Sequence, residues 1–145
     1  MYKRILLAYD GSQSGQKALL DCGEIAQWSQ ATLSLVAVTP LSMQMIGVEG
    51  GVYDKTLAEH EKEKYTGILA EGVRQLADAG HQASGDVLLG DTVEEITRYA
   101  GKIEADLIVV GHRHLEGWAA RWWRGSVSKS LIEHAPCSVL VVITH

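Results

Sequence analysis

The sequence predicts an α/β protein built on an open, doubly wound, five-stranded parallel sheet with helices on both faces. Three observations carry that expectation. Five short apolar runs recur along the chain, at residues 5–9, 32–38, 83–89, 106–110 and 138–143. Segments with helical spacing separate them. The 145 residues are enough for one domain with its own core, so residues 1–145 are expected to form a single domain.

The first, second, fourth and fifth runs are nearly continuous in Ile, Leu, Val and Ala. Such runs suit strands covered on both faces, as in parallel sheets. Between the first two, Ala18, Cys22 and Ile25 share one helical face, with Leu19 and Ala26 beside them. Tyr65, Ile68, Leu69, Val73 and Leu76 mark a second apolar stripe, and Val93, Ile96, Ala100 and Ile103 a third. Asp91 and Thr92 are positioned to cap that third helix, and Glu94 and Glu95 suit its first turn. Val127, Leu131 and Ala135 form the last stripe, which Pro136 ends before the final strand. Alternation of strand and helix predicts parallel pairing with helices above and below.

Two stretches break the pattern. Residues 39–54 carry Gly47, Gly50 and Gly51 with Met43 and Met45, and read as a long loop. Residues 112–124 carry Trp118, Trp122 and Trp123 with Arg121 and Arg124. That segment reads either as a surface packed onto the domain or as a lid over a bound anion.

A net charge of −5 argues against non-specific nucleic-acid binding. Cys22 and Cys137 have no metal-type spacing and read as two reduced thiols. The first apolar run is too short for a signal peptide, and no run is long enough to span a membrane. A cytoplasmic location is expected.

In a doubly wound sheet, ligands bind beyond the carboxyl ends of the strands, where the strand order reverses. Asp10-Gly11-Ser12 leaves the first strand there, and Gly111-His112-Arg113-His114 leaves the fourth. Gly125-Ser126-Val127 opens the last helix, where free N–H groups and the positive helix end favour an anion. Asp10 also reads as a turn-former before Gly11, and Ser126 as a plain helix cap. His112 and His114 lack the companion ligands of a dedicated zinc site and suit phosphate contact or an exposed loop.

These segments together resemble the universal stress protein family. The resemblance also takes in residues 90–96 and the run from His134-Ala135-Pro136 to Val142, so it spans essentially the whole chain. It implies a Rossmann-like fold of the adenine nucleotide alpha hydrolase-like type. It also implies ATP, or AMP or ADP, bound at the ends of the first and fourth strands. Asp10 would then contact the adenine–ribose part and Val38 would offer backbone groups to the base. Asp10 would be the oxygen ligand of any magnesium carried by the phosphates. Nucleotide-binding members carry G-x2-G-x9-G-[ST] after the fourth strand. Here Gly111 and Gly125-Ser126 match, His114 stands at the second glycine, and one extra residue precedes Gly125. The resemblance further implies a homodimer through the last strand, from Ser138 to Ile143.

Two functions stay open: a nucleotide-binding, dimeric stress-response regulator, or a dimeric interaction module of the same family that does not bind ATP. Catalysis is expected to be slow ATP hydrolysis at most, because Gly101-Lys102-Ile103 is no Walker A loop. The third strand lacks a receiver domain's acceptor Asp, and Asp10-Gly11-Ser12-Gln13 is a poor flavodoxin phosphate loop.

Overall fold

The computed structural model describes residues 1–40, 55–113 and 127–144. The elements run β1 (Arg4–Ala8), α1 (Gln13–Ser29), β2 (Thr32–Pro40), α2 (Lys55–Asp78), β3 (Ala83–Gly90), α3 (Thr92–Lys102), β4 (Leu107–Arg113), α4 (Val127–His134) and β5 (Ser138–Thr144). All four strand pairings are parallel, in the order β3-β2-β1-β4-β5. The α/β class and the doubly wound sheet expected from the sequence are the architecture observed.

Alternation along the central strands divides the core into two layers. Ile5, Leu7, Leu33, Leu35, Leu107 and Val109 pack towards α1 and α2. Leu6, Val36, Ile108 and Val110 pack with Ile96, Ala100 and Leu131 on the α3 and α4 side. Each fully buried Leu or Ile contributes about 1.5–3 kcal/mol by leaving water, so these two layers dominate the stability. The edge strands β3 and β5 are only half covered.

Local signals set the helix ends. Ser12 caps α1, its Oγ accepting from Gly15 N at 3.0 Å. Asp91 caps α3, accepting from Glu94 N at 3.0 Å, and Glu94 and Glu95 occupy the first turn as expected. At the opposite end of the sheet, Asp106 clamps two strands. Its Oδ2 accepts from Lys3 N at 2.8 Å and its Oδ1 from Arg4 N at 3.0 Å, so β1 and β4 start in register. Desolvation pushes the Asp106 carboxyl up, but those backbone hydrogen bonds and the Arg4 charge outweigh it and hold it below the ordinary value.

The ladders differ from the sequence reading at their carboxyl ends. β1 stops at Ala8, while β2 continues to Pro40 and β4 to Arg113. His112 and Arg113, expected in a loop, are strand residues paired with Ile143 and Thr144. Polar side chains there read as loop in the sequence, but β5 is long enough to keep the ladder going.

Candidate functional site

The unequal strand lengths create the site. β1 is shorter than both its neighbours, so the top of the sheet carries a notch floored by Tyr9 and Asp10. Tyr9 N donates to Val36 O at 2.9 Å, the last backbone bond between the two strands. Beyond it, β2 runs on with no β1 partner. Backbone groups alternate along a strand, so Val38 turns the same edge into the notch that Val36 turns towards β1. On the other side β4 continues through Gly111. A cavity of about 220 Å³ fills this notch, with Asp10, Val38, Gly111 and Val127 among its lining residues.

Asp10 uses one oxygen for the fold. Its Oδ1 accepts from Ser12 N at 2.9 Å and from Ser12 Oγ at 2.6 Å, closing a turn around Gly11. Gly11 sits at φ +78, a conformation that disfavours any side chain. Among the described residues, Oδ2 accepts no hydrogen bond, and Asp10 is one of the residues that line the notch. The turn-former and ligand readings of Asp10 are thus compatible, one oxygen for each.

Gly111 is a close-approach glycine. A β-carbon there would lie 2.4 Å from Ser14 O and 2.7 Å from Gly15 N. β4 therefore presses directly against the first turn of α1. That turn contains no acidic residue, so its positive end is not neutralised from within the helix. The first turn of α3, by contrast, already carries Glu94 and Glu95.

Sequence reasoning missed several walls of this cavity. Tyr9, Tyr65, Thr92 and Ile96 all line it. Tyr65 and Ile96 stood out only as members of helical apolar stripes, which do not reveal that the top of a stripe overhangs a notch. Burial, followed by the charges of Asp10 and Glu71, holds the Tyr9 phenol above its ordinary pKa, so it is neutral at pH 7. His114, Gly125 and Ser126 lie outside the described residues, as do the tryptophan-rich segment and the Met43 and Met45 loop. His112 and Arg113 continue β4 upwards from Gly111.

A larger cavity of about 1060 Å³ lies at the opposite end of the sheet, around Gln30, His81 and Ser84. It is a groove at the amino ends of β2 and β3, away from the strand-order reversal between β1 and β4 where ligands of such sheets bind. Among the described residues no group of His, Cys, Asp and Glu side chains is arranged to hold a metal ion. No helix among them is long and apolar enough to cross a membrane.

A sequence model of the universal stress protein family matches residues 1–142. The chain belongs to that family. A universal stress protein of Synechocystis sp. is 30% identical over 97% of this chain and 97% of its own length. A universal stress protein family structure from Burkholderia pseudomallei superposes with a TM-score of 0.76 at 28% identity, covering 97% of this chain and 96% of that one. A family member from Arabidopsis thaliana, solved with AMP bound, has a TM-score of 0.72 at 19% identity, over 99% of this chain and 92% of that one. The universal stress protein fold therefore extends over the notch as well as the core.

Proposed function

We infer that this universal stress protein binds ATP or a related adenine nucleotide in the notch above β1. In this reading it acts as a dimeric, nucleotide-dependent regulator in the cytoplasm. One observation carries the reading: a short central strand leaves Asp10, Val38 and Gly111 lining one cavity. Apolar walls from Val38, Val110 and Ile96 suit a base. The Val38 backbone supplies the donor and acceptor that an adenine edge needs, and Asp10 Oδ2 accepts from a ribose hydroxyl. About 220 Å³ is base-and-ribose size, so the phosphates run out past Gly111, beside the positive end of α1, and Gly125 and Ser126 are the further phosphate contacts that the family pattern implies. Asp10 is the one carboxylate among the described lining residues, and is the oxygen donor that a phosphate-borne magnesium ion would use. AMP bound to the Arabidopsis relative supports the same ligand class.

The regulator pairs through β5, the sheet edge beyond β4, whose outer side has no strand partner among the described residues. Cys22 and Cys137 are both unpaired, which suits a reducing compartment.

Isothermal calorimetry with ATP, ADP and AMP, with and without magnesium, tests the reading. Saturable heat is expected from the wild type. Asp10→Ala is expected to bind about 10–100-fold more weakly, the value of one hydrogen bond to a charged group. Absence of heat at millimolar nucleotide with magnesium present would overturn it, and would leave the dimeric interaction module as the function.

A further inference from the structure

A groove of about 370 Å³ runs between α1 and β5. Trp28 of α1 and Leu140, Val142 and Ile143 of β5 give it apolar walls. Trp28 is 84% exposed and Ile143 49%, so two large apolar side chains of this groove stand in water. α1 leads from the carboxyl end of β1 to the amino end of β2, so it runs antiparallel to the strands. Trp28, in its last turn, therefore lies at the amino end of β5, and Ile143 at the other end.

The two edges of the sheet are built differently. β3 carries Gly85, Asp86 and Gly90, and Asp86 Oδ2 accepts from Tyr99 Oη at 2.6 Å. Charges and glycines of this kind discourage a further strand. β5 has no charge, glycine or proline from Ser138 to Thr144. The 7 residues of that edge are too few to hold two chains by themselves, since a stable interface covers roughly 800 Å² on each partner.

We propose that Trp28 anchors an interface between two copies of this chain, seated over the carboxyl end of the partner's β5. The inference rests on the β5 pairing of the proposed dimer. A two-fold axis through Val141, the middle residue of β5, sets the strands antiparallel and lays Leu140 of one protomer opposite Val142 of the partner subunit. The amino end of each groove then meets the carboxyl end of the other. Each Trp28 covers Ile143 of the partner subunit, and symmetry makes that contact twice. The spacing fits. α1 packs over β4 at Gly111, so three strand spacings, about 14 Å, separate the two α1 axes. Helices in direct contact lie about 8–10 Å apart, so the gap holds a further layer of side chains, and an indole from each protomer supplies it. Lys17 and Asp21 on the rim pair within the chain at 2.9 Å. Glu24 is the remaining charge among the groove's lining residues, and at that separation salt largely screens it from its mate. A second copy fits this groove because its two exposed apolar groups stand at opposite ends, where a two-fold axis brings one onto the other.

Sedimentation equilibrium of the wild type, Trp28→Ala and Trp28→Phe tests the proposal. Trp28→Ala is expected to raise the dimer dissociation constant at least about tenfold, and Trp28→Phe by less. The second measurement uses a Trp118/Trp122/Trp123→Phe variant, in which Trp28 is the one remaining tryptophan. Its emission should shift to the blue and lose acrylamide quenching as rising concentration drives dimerisation. A wild type that stays monomeric would overturn the dimer and this inference together. A wild-type dimer that Ile143→Lys dissociates, but that Trp28→Ala leaves at equal affinity, would overturn this inference alone. So would Trp28 emission that is the same in monomer and dimer.

Discussion

Gly111 on β4 lies so close to Ser14 on α1 that a β-carbon at position 111 would sit 2.4 Å from the Ser14 carbonyl oxygen. The contact is backbone against side chain, and a helix backbone gives way far less readily than a flexible side chain. Gly111→Ala must therefore push α1 away from the sheet. A loss of about 1–3 kcal/mol is expected, the range for forcing an extra methyl group into a packed site. Urea unfolding measures it, and an unchanged midpoint would show that the helix moves freely. Because Gly111 itself lines the notch, nucleotide affinity should fall with stability.

Ser12 and Asp10 separate stability from binding. Ser12→Ala removes the cap of α1 and the hydroxyl that holds Asp10 Oδ1, and should cost about 0.5–2 kcal/mol. Asp10→Asn keeps an oxygen for the same turn, because asparagine forms it equally well. That variant should unfold near the wild-type midpoint yet bind nucleotide more weakly, having lost its charge. Thermal melts paired with calorimetry distinguish the two; a large drop in melting temperature for Asp10→Asn would refute the division of labour between the two oxygens.

Asp106 predicts the acid limit of the fold. Its folded pKa is lowered, so its stabilisation is fully present above the ordinary aspartate value of about 3.9 and is lost as pH falls through the folded value. Asp106→Asn should lower stability at pH 7 and flatten the pH dependence below about pH 4, because asparagine cannot titrate. Chemical unfolding repeated from pH 7 to pH 2.5 follows both effects. A variant whose stability curve parallels the wild type through that window would show that Asp106 contributes nothing to acid unfolding.

The β5 edge predicts a dimer, and the burial pattern selects where to test it. Val142 is 7% exposed and packs into the α1-side core, so a charge there would unfold the protein before it tested association. Ile143 is 49% exposed on the same strand. Ile143→Lys should leave the unfolding free energy of the isolated chain within about 0.5 kcal/mol of the wild type while shifting sedimentation from dimer to monomer. A wild type that sediments as a monomer at micromolar concentration would remove the dimer from the proposed function.

Periodicity alone determined the class of this protein. Four nearly continuous apolar strands and four amphipathic segments can bury their apolar faces together only as a covered parallel sheet. Asp10 as a turn-former and Asp91 as a cap were legible because each acts within a few residues of its own position; Gly111 stood out by its place after the fourth strand, but its contact with Ser14 did not. Strand lengths were not legible, because a ladder ends where its neighbour ends, and that neighbour is distant in sequence. The notch exists because β1 stops at Ala8 while β2 and β4 run on. That relation among three strands also turns the Val38 backbone inwards and leaves room for Tyr65 and Ile96 over the cavity, while pairing with β5 makes His112 and Arg113 strand residues. The buried Thr39 hydroxyl belongs to the same category. A threonine at a strand end is ordinary in sequence, and only the tertiary packing leaves its Oγ1 buried without a hydrogen-bond partner among the described residues.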